Sequence, residues 1–202
     1  MDSGRRTGYA GPVGGLFHTV RRLCLAGGLL AALAFGGAGG LYYYRIHRFD
    51  GLIAQSASRH GVDPRLVAAL IWRESRFNPG CVGSRKEIGL MQVTEAAAQE
   101  WSKANDAAVP ARRELFMPAT NIEAGTWYLA RAIRRWSPSQ ADPLPFALAE
   151  YNAGRSNVQR WAAPGGLTAT QFWNNITYPA TQRYVRDILQ RYRGRLTGTS
   201  NG

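Results

Sequence analysis

Between Leu23 and Tyr44 the chain carries no charged residue. A run of about 22 such residues is long enough for one helix to cross a hydrocarbon core. A segment of this kind cannot share a water-exposed surface with the rest of the molecule, so it divides the chain before any other feature is considered. Arg21 and Arg22 stand directly before it, with Arg5 and Arg6 further upstream. That bias predicts residues 1–22 as a cytoplasmic tail, 23–44 as a single transmembrane helix, and everything beyond as exported. Tyr42, Tyr43 and Tyr44 close the run and are followed by Arg45, His47 and Arg48, a composition suited to the headgroup layer and to a retained anchor. A removed signal peptide ending among Ala34 to Gly40 is the alternative reading.

After Phe49 the pattern becomes that of a folded domain. Apolar residues recur at spacings of three and four and strand alternation is almost absent, which predicts an all-α domain over 50–193. Asp50 caps a first helix that ends near Gly61. Asp63 followed by Pro64 reads as an N-cap with a first-turn proline, and Leu66, Val67, Leu70 and Ile71 form the buried face of the helix that follows. Glu74 comes one turn after Leu70 and Ile71, which carries it toward the apolar interior. Asn78 to Glu87, with Pro79, Gly80 and Gly83, reads as a loop. Thr94 then opens another helix, and further helices are predicted over Asn121–Trp136, Pro145–Tyr151 and Thr181–Arg193. Residues 194–202 read as a flexible tail.

The net charge of +12 invites a nucleic-acid reading, but the lysines and arginines are scattered and form no periodic stripe, so nucleic acid is not expected as a partner. An anionic cell wall or a lipid headgroup layer suits the charge equally well. Cys24 and Cys81 lie in different parts of the chain and are not expected to pair. His18, His47 and His60 show no ligand spacing, so neither a metal nor a cofactor is expected.

Three short segments carry the chemistry: Glu74-Ser75-Arg76-Phe77-Asn78-Pro79, Gly89-Leu90-Met91-Gln92, and Ala149-Glu150-Tyr151-Asn152-Ala153-Gly154. Their order and separation resemble the catalytic domain of lytic transglycosylases of the soluble, lysozyme-like type. The likeness extends to Asp63-Pro64-Arg65-Leu66-Val67, Asn121-Ile122, Gly125, Tyr128-Leu129, and Thr181 with Arg183-Tyr184-Val185. It covers nearly all of the exported part. The resemblance implies an all-α lysozyme-like domain that acts on peptidoglycan glycan strands, with Glu74 as the only catalytic carboxylate. Chemistry independent of the family supports that choice, since a glutamate at the end of a buried helix face can stay protonated near neutral pH and donate to a glycosidic oxygen.

By position, the resemblance further implies substrate-cleft roles for Ser75, Met91, Gln92, Tyr151, Asn152 and Tyr184, with Tyr151 hydrogen-bonding near the catalytic carboxylate. The sequence departs from the family pattern in three places. Lys86-Glu87 stands where Gly-Ala is common, Glu150 replaces a small residue, and Ala180 replaces a glutamate. Glu150 is expected to face solvent. Two alternatives stay open beside the transglycosylase: a hydrolysing muramidase of the same fold, and a wall-binding scaffold without activity. The anchor would place the domain on the periplasmic side of the bacterial inner membrane, a monomer working near cell-envelope machinery.

Overall fold

The computed structural model describes residues 36–37, 39–163 and 165–197, with side chains to residue 194. The chain divides into two units, 1–47 and 48–202. In the first, the described residues are helical at 36–37 and over 39–47, and Leu41, Tyr42, Tyr43 and Tyr44 are exposed. Most of the expected span, 23–35, lies outside the described residues, as does the tail 198–202. No described helix is long and apolar enough to cross a membrane.

The second unit is all-α. Its helices are α1 (Asp50–His60), α2 (Pro64–Ser75), α3 (Glu95–Ala104), a 3-10 turn (Arg112–Phe116), α4 (Pro118–Trp136), α5 (Leu144–Ala153), α6 (Arg155–Trp161), α7 (Ala169–Asn175) and α8 (Pro179–Thr197). Two of the three caps read from the sequence are present, whereas Asp50 is the first residue of α1 and not its cap, Phe49 standing at that position with no side-chain cap bond. Asp63 accepts from the Arg65 backbone N–H at 2.8 Å with Pro64 at the first helical position, and Thr94 accepts from the Ala97 N–H at 3.1 Å. Gly61 ends α1 in the left-handed conformation at φ 68°, where a residue without Cβ carries no steric penalty. α4 begins three residues earlier than the spacing predicts and α8 continues four residues past Arg193. The 3-10 turn, α6 and α7 were not anticipated, because each is too short to show a helical period.

α5 lies at the centre of the unit. Pro145 to Glu150 are buried in succession, as expected of a helix surrounded on all sides, and α4, α6, α7 and α8 pack around it. Phe146 stacks on Trp136 at 5.4 Å and on Phe172 at 3.9 Å between ring centroids. α2 packs on α1 and α8 through Leu66, Val67, Leu70 and Ile71, each at most 2% exposed. Burial on that scale contributes roughly 1.5–3 kcal/mol per side chain.

The expectation that Glu150 faces solvent is wrong. Glu150 is 1% exposed, pairs with Arg135, and accepts from the Trp136 indole N–H at 2.8 Å. Residues 145–150 are buried on every side, so this part of α5 has no solvent face on which to put a carboxylate. The charge is tolerated because α4 supplies two donors for it.

Candidate active site

The cleft is built where α2 ends. Ser75 is the last helical residue, and Arg76 and Phe77 follow at φ 53° and 59°, two consecutive left-handed residues that are both non-glycine. That conformation is costly, and it is held by burial of the Phe77 ring, 1% exposed, and by the Asn78 N–H donating to Ser75 O at 3.0 Å. The sharp exit leaves Glu74 facing a cleft of about 460 Å³, whose lining includes Glu87, Gln92, Tyr128, Tyr151 and Asn152.

Opposite the helix end, residues 88–93 form a tight turn closed by reciprocal Ile88–Val93 backbone bonds of 3.0 and 2.9 Å. Side chains from three helices, α2, α4 and α5, tie it in place. Ser75 Oγ donates to Leu90 O at 2.8 Å. The Asn121 amide donates to Ile88 O at 2.8 Å and Leu115 O at 2.7 Å, while its oxygen accepts from the Met91 N–H at 2.7 Å. The Tyr151 hydroxyl donates to Met91 O at 2.8 Å. Gly89 adopts φ 78°, and a Cβ there would stand 2.5 Å from Asn121 Nδ2, so glycine is required on both conformational and steric grounds.

Glu74 keeps some contact with solvent through the cleft but is otherwise enclosed by protein. Burial disfavours its charged form and pushes its pKa up to about 7. Tyr184, 2% exposed, donates to Glu74 Oε1 at 2.5 Å and partly opposes that rise, as does the positive charge of Arg73. Burial also raises the phenols of Tyr184 and Tyr151, reinforced by the Glu74 charge, so both remain neutral hydrogen-bond donors.

The remaining expected residues divide into those at the cleft and those behind it. Gln92 lines the cleft at φ 51°, its amide donating to Gly89 O at 2.9 Å. Asn152 lines it too, and accepts from the Thr181 hydroxyl at 2.8 Å, which fastens α5 to α8. Ser75 donates inward to Leu90 O and to Ile71 O at 3.2 Å. Met91 is fully buried and packs on Gly125, where a Cβ would come within 2.7 Å of its sulfur. Both therefore support the wall from behind. The tyrosine bonded to the carboxylate is Tyr184; Tyr151 bonds the turn and meets Tyr128 edge-on at 5.7 Å. Two contributors had no individual role in the sequence reading: Asn121, whose bonds hold the turn, and Glu87, a second acid in the cleft. The sequence held a signal for the latter, the only acidic residue between Glu74 and Glu95.

Comparison with known proteins gives a consistent picture. The family model described as Transglycosylase SLT domain matches residues 51–173. Two curated relatives, each named membrane-bound lytic murein transglycosylase C, are 30% identical over 138 residues in Salmonella arizonae and 31% in Shigella sonnei. Each alignment covers 66% of this chain and 38% of the relative, so the chain spans about two fifths of the length of these proteins. Among solved structures, the 70 kDa soluble lytic transglycosylase of Escherichia coli superposes with a TM-score of 0.66 at 27% identity, over 79% of this chain and 27% of that one. An inactive mutant of the lytic transglycosylase Slt from Pseudomonas aeruginosa shares the fold with a TM-score of 0.65 at 23% identity, over 73% of this chain and 24% of that one.

Proposed function

This chain belongs to the transglycosylase SLT domain family, and on that premise we propose that it cleaves peptidoglycan glycan strands without consuming water, with Glu74 as general acid and then general base. The observation that carries the reading is a protonatable carboxyl, its pKa raised to about 7 by burial, facing an open cleft and fixed by a neutral tyrosine. Glu74 donates its proton to the oxygen linking N-acetylmuramic acid to N-acetylglucosamine, and the bond from that oxygen to the anomeric carbon breaks. The positive charge left on the carbon is stabilised by the sugar's own 2-acetamido group. The carboxylate, accepting from Tyr184, then removes the proton of the 6-hydroxyl as that oxygen closes on the anomeric carbon. The product is a 1,6-anhydro sugar, and Glu74 ends protonated as it began.

Gln92, Tyr128, Tyr151 and Asn152 offer the strand a polar and aromatic wall, whereas Ser75, Met91 and Asn121 act by positioning that wall. The test is the turbidity of purified sacculi. The wild-type chain is expected to lower it and Glu74→Gln to leave it unchanged; equal clearing by both would remove Glu74 from the chemistry.

The relatives named membrane-bound, together with the uncharged run 23–44 and its flanking arginines, support a single-pass anchor in the bacterial inner membrane with the domain on the periplasmic side. Cell fractionation tests this reading. The full chain is expected in the membrane pellet and resistant to carbonate extraction, and recovery in the soluble fraction would refute the anchor.

A further inference from the structure

The cleft contains an acid that the mechanism above leaves unused. Glu87 lies on the loop between α2 and α3 and lines the same cavity as Glu74, with its side chain 14% exposed. Its carboxylate accepts from the Arg85 backbone N–H at 2.8 Å and from the Arg85 guanidinium at 2.9 Å. A Cβ on Gly83 would stand 2.5 Å from Glu87 Oε2 and 2.6 Å from Gln92 Oε1, so the acid and the Gln92 amide converge over a bare glycine. Burial alone would raise the Glu87 carboxyl, but N–H donors from its own backbone and from Arg85, with the guanidinium, outweigh that and hold it below the usual range. Its negative charge in turn acts on Glu74, favouring the protonated form there. Glu150 lines the same cavity but is taken up by Arg135 and Trp136; Glu74 and Glu87, one kept neutral and the other kept charged, form the pattern by which glycosidases divide their roles.

We propose that Glu87 is a second carboxylate of the reaction, whose negative charge stabilises the anomeric carbon as it becomes positive after Glu74 protonates the leaving oxygen. This rests on the glycan-cleaving reading above. The family resemblance implies a single catalytic carboxylate and commonly an alanine at this position, so the role would be a property of this chain. A fixed charge aimed at developing charge in a water-poor site raises turnover more than it raises binding.

The test measures turnover of the full chain on soluble peptidoglycan strands for wild type, Glu87→Gln and Glu87→Ala, the last with and without added formate. Glu87→Gln is expected to lower kcat by about 10-fold or more with KM within about threefold of wild type, and formate to restore part of the Glu87→Ala loss. The pH profile adds a second readout. Glu74 is faced by Arg73 on α2, Arg85 and Glu87 on the loop, Tyr151 on α5 and Tyr184 on α8. Glu150 on α5 lines the same cavity, and removing the Glu87 charge, which disfavours the ionised form of Glu74, lets Glu74 ionise more easily, so the alkaline limb should move to lower pH in Glu87→Gln.

A kcat within twofold of wild type, a rise in KM alone, or an unmoved limb would overturn the proposal. Because Glu87 also braces its loop through Arg85, a lowered melting temperature in Glu87→Gln passes the decision to formate: rescue supports the charge, and no rescue overturns it. Wild-type chain that releases no anhydro product would instead overturn the proposed function itself, and this inference with it.

Discussion

At the scale of single residues, Glu74 concentrates the cost of the site. Its folded pKa of about 7 stands above the ordinary 4.5, so the folded chain binds this proton more tightly than the unfolded one does. Stability from this group is therefore full below pH 4.5, declines as pH rises through the window to about 7, and levels off above it. The gap corresponds to roughly 3 kcal/mol at most. Glu74→Gln cannot ionise, and it should melt at a higher temperature than wild type at pH 8 while differing little at pH 4. Equal differences at the two pH values would contradict the buried, protonated acid. That Glu74 carries chemistry was legible from its place after an apolar helix face and from the motifs around it. Its hydrogen-bond partner was not: Tyr184 lies 110 positions away, and spacing along the chain says nothing about which of two buried tyrosines reaches a carboxylate.

At the scale of elements, α4 is the brace of the site although none of its residues reacts. Asn121 is fully buried and makes three hydrogen bonds to the 88–91 turn and the 3-10 turn. Asn121→Ala would leave Met91 N–H and Leu115 O without partners, at about 1–3 kcal/mol for each buried group left unsatisfied, and would take from Ile88 O one of its two donors, the Val93 N–H remaining. We expect a loss of about 3 kcal/mol or more in urea unfolding, together with reduced turnover. A change below about 1 kcal/mol would mean that the turn holds itself. Helix starts at Pro64 and Glu95 could be read because their caps are local, side chain to backbone within three residues. Glu150 could not be placed, because its solvation depends on Arg135 and Trp136 arriving from another helix. The left-handed exit at Arg76 and Phe77 was likewise hidden, since neither residue favours it and it is enforced by burial of the Phe77 ring and the Asn78 N–H bond to Ser75 O.

At the scale of the whole molecule, the sequence divides between an uncharged N-terminal run and an all-α domain in which one buried helix, α5, is wrapped by its neighbours. The helical architecture was readable because nearly every long helix shows its own apolar period; the central position of α5 was not read, which is why Glu150 was expected at a solvent face. The cleft between the end of α2 and the 88–93 turn follows from that packing and from two tight backbone features. The most direct test of the account is the mass of the muropeptides released from purified peptidoglycan by the full chain, with Glu74→Gln as control. Products lighter by one water than hydrolysis products, and absent with the control, are predicted. Ordinary reducing ends in their place would contradict it, because they would require Glu74 to direct a water that this mechanism leaves out.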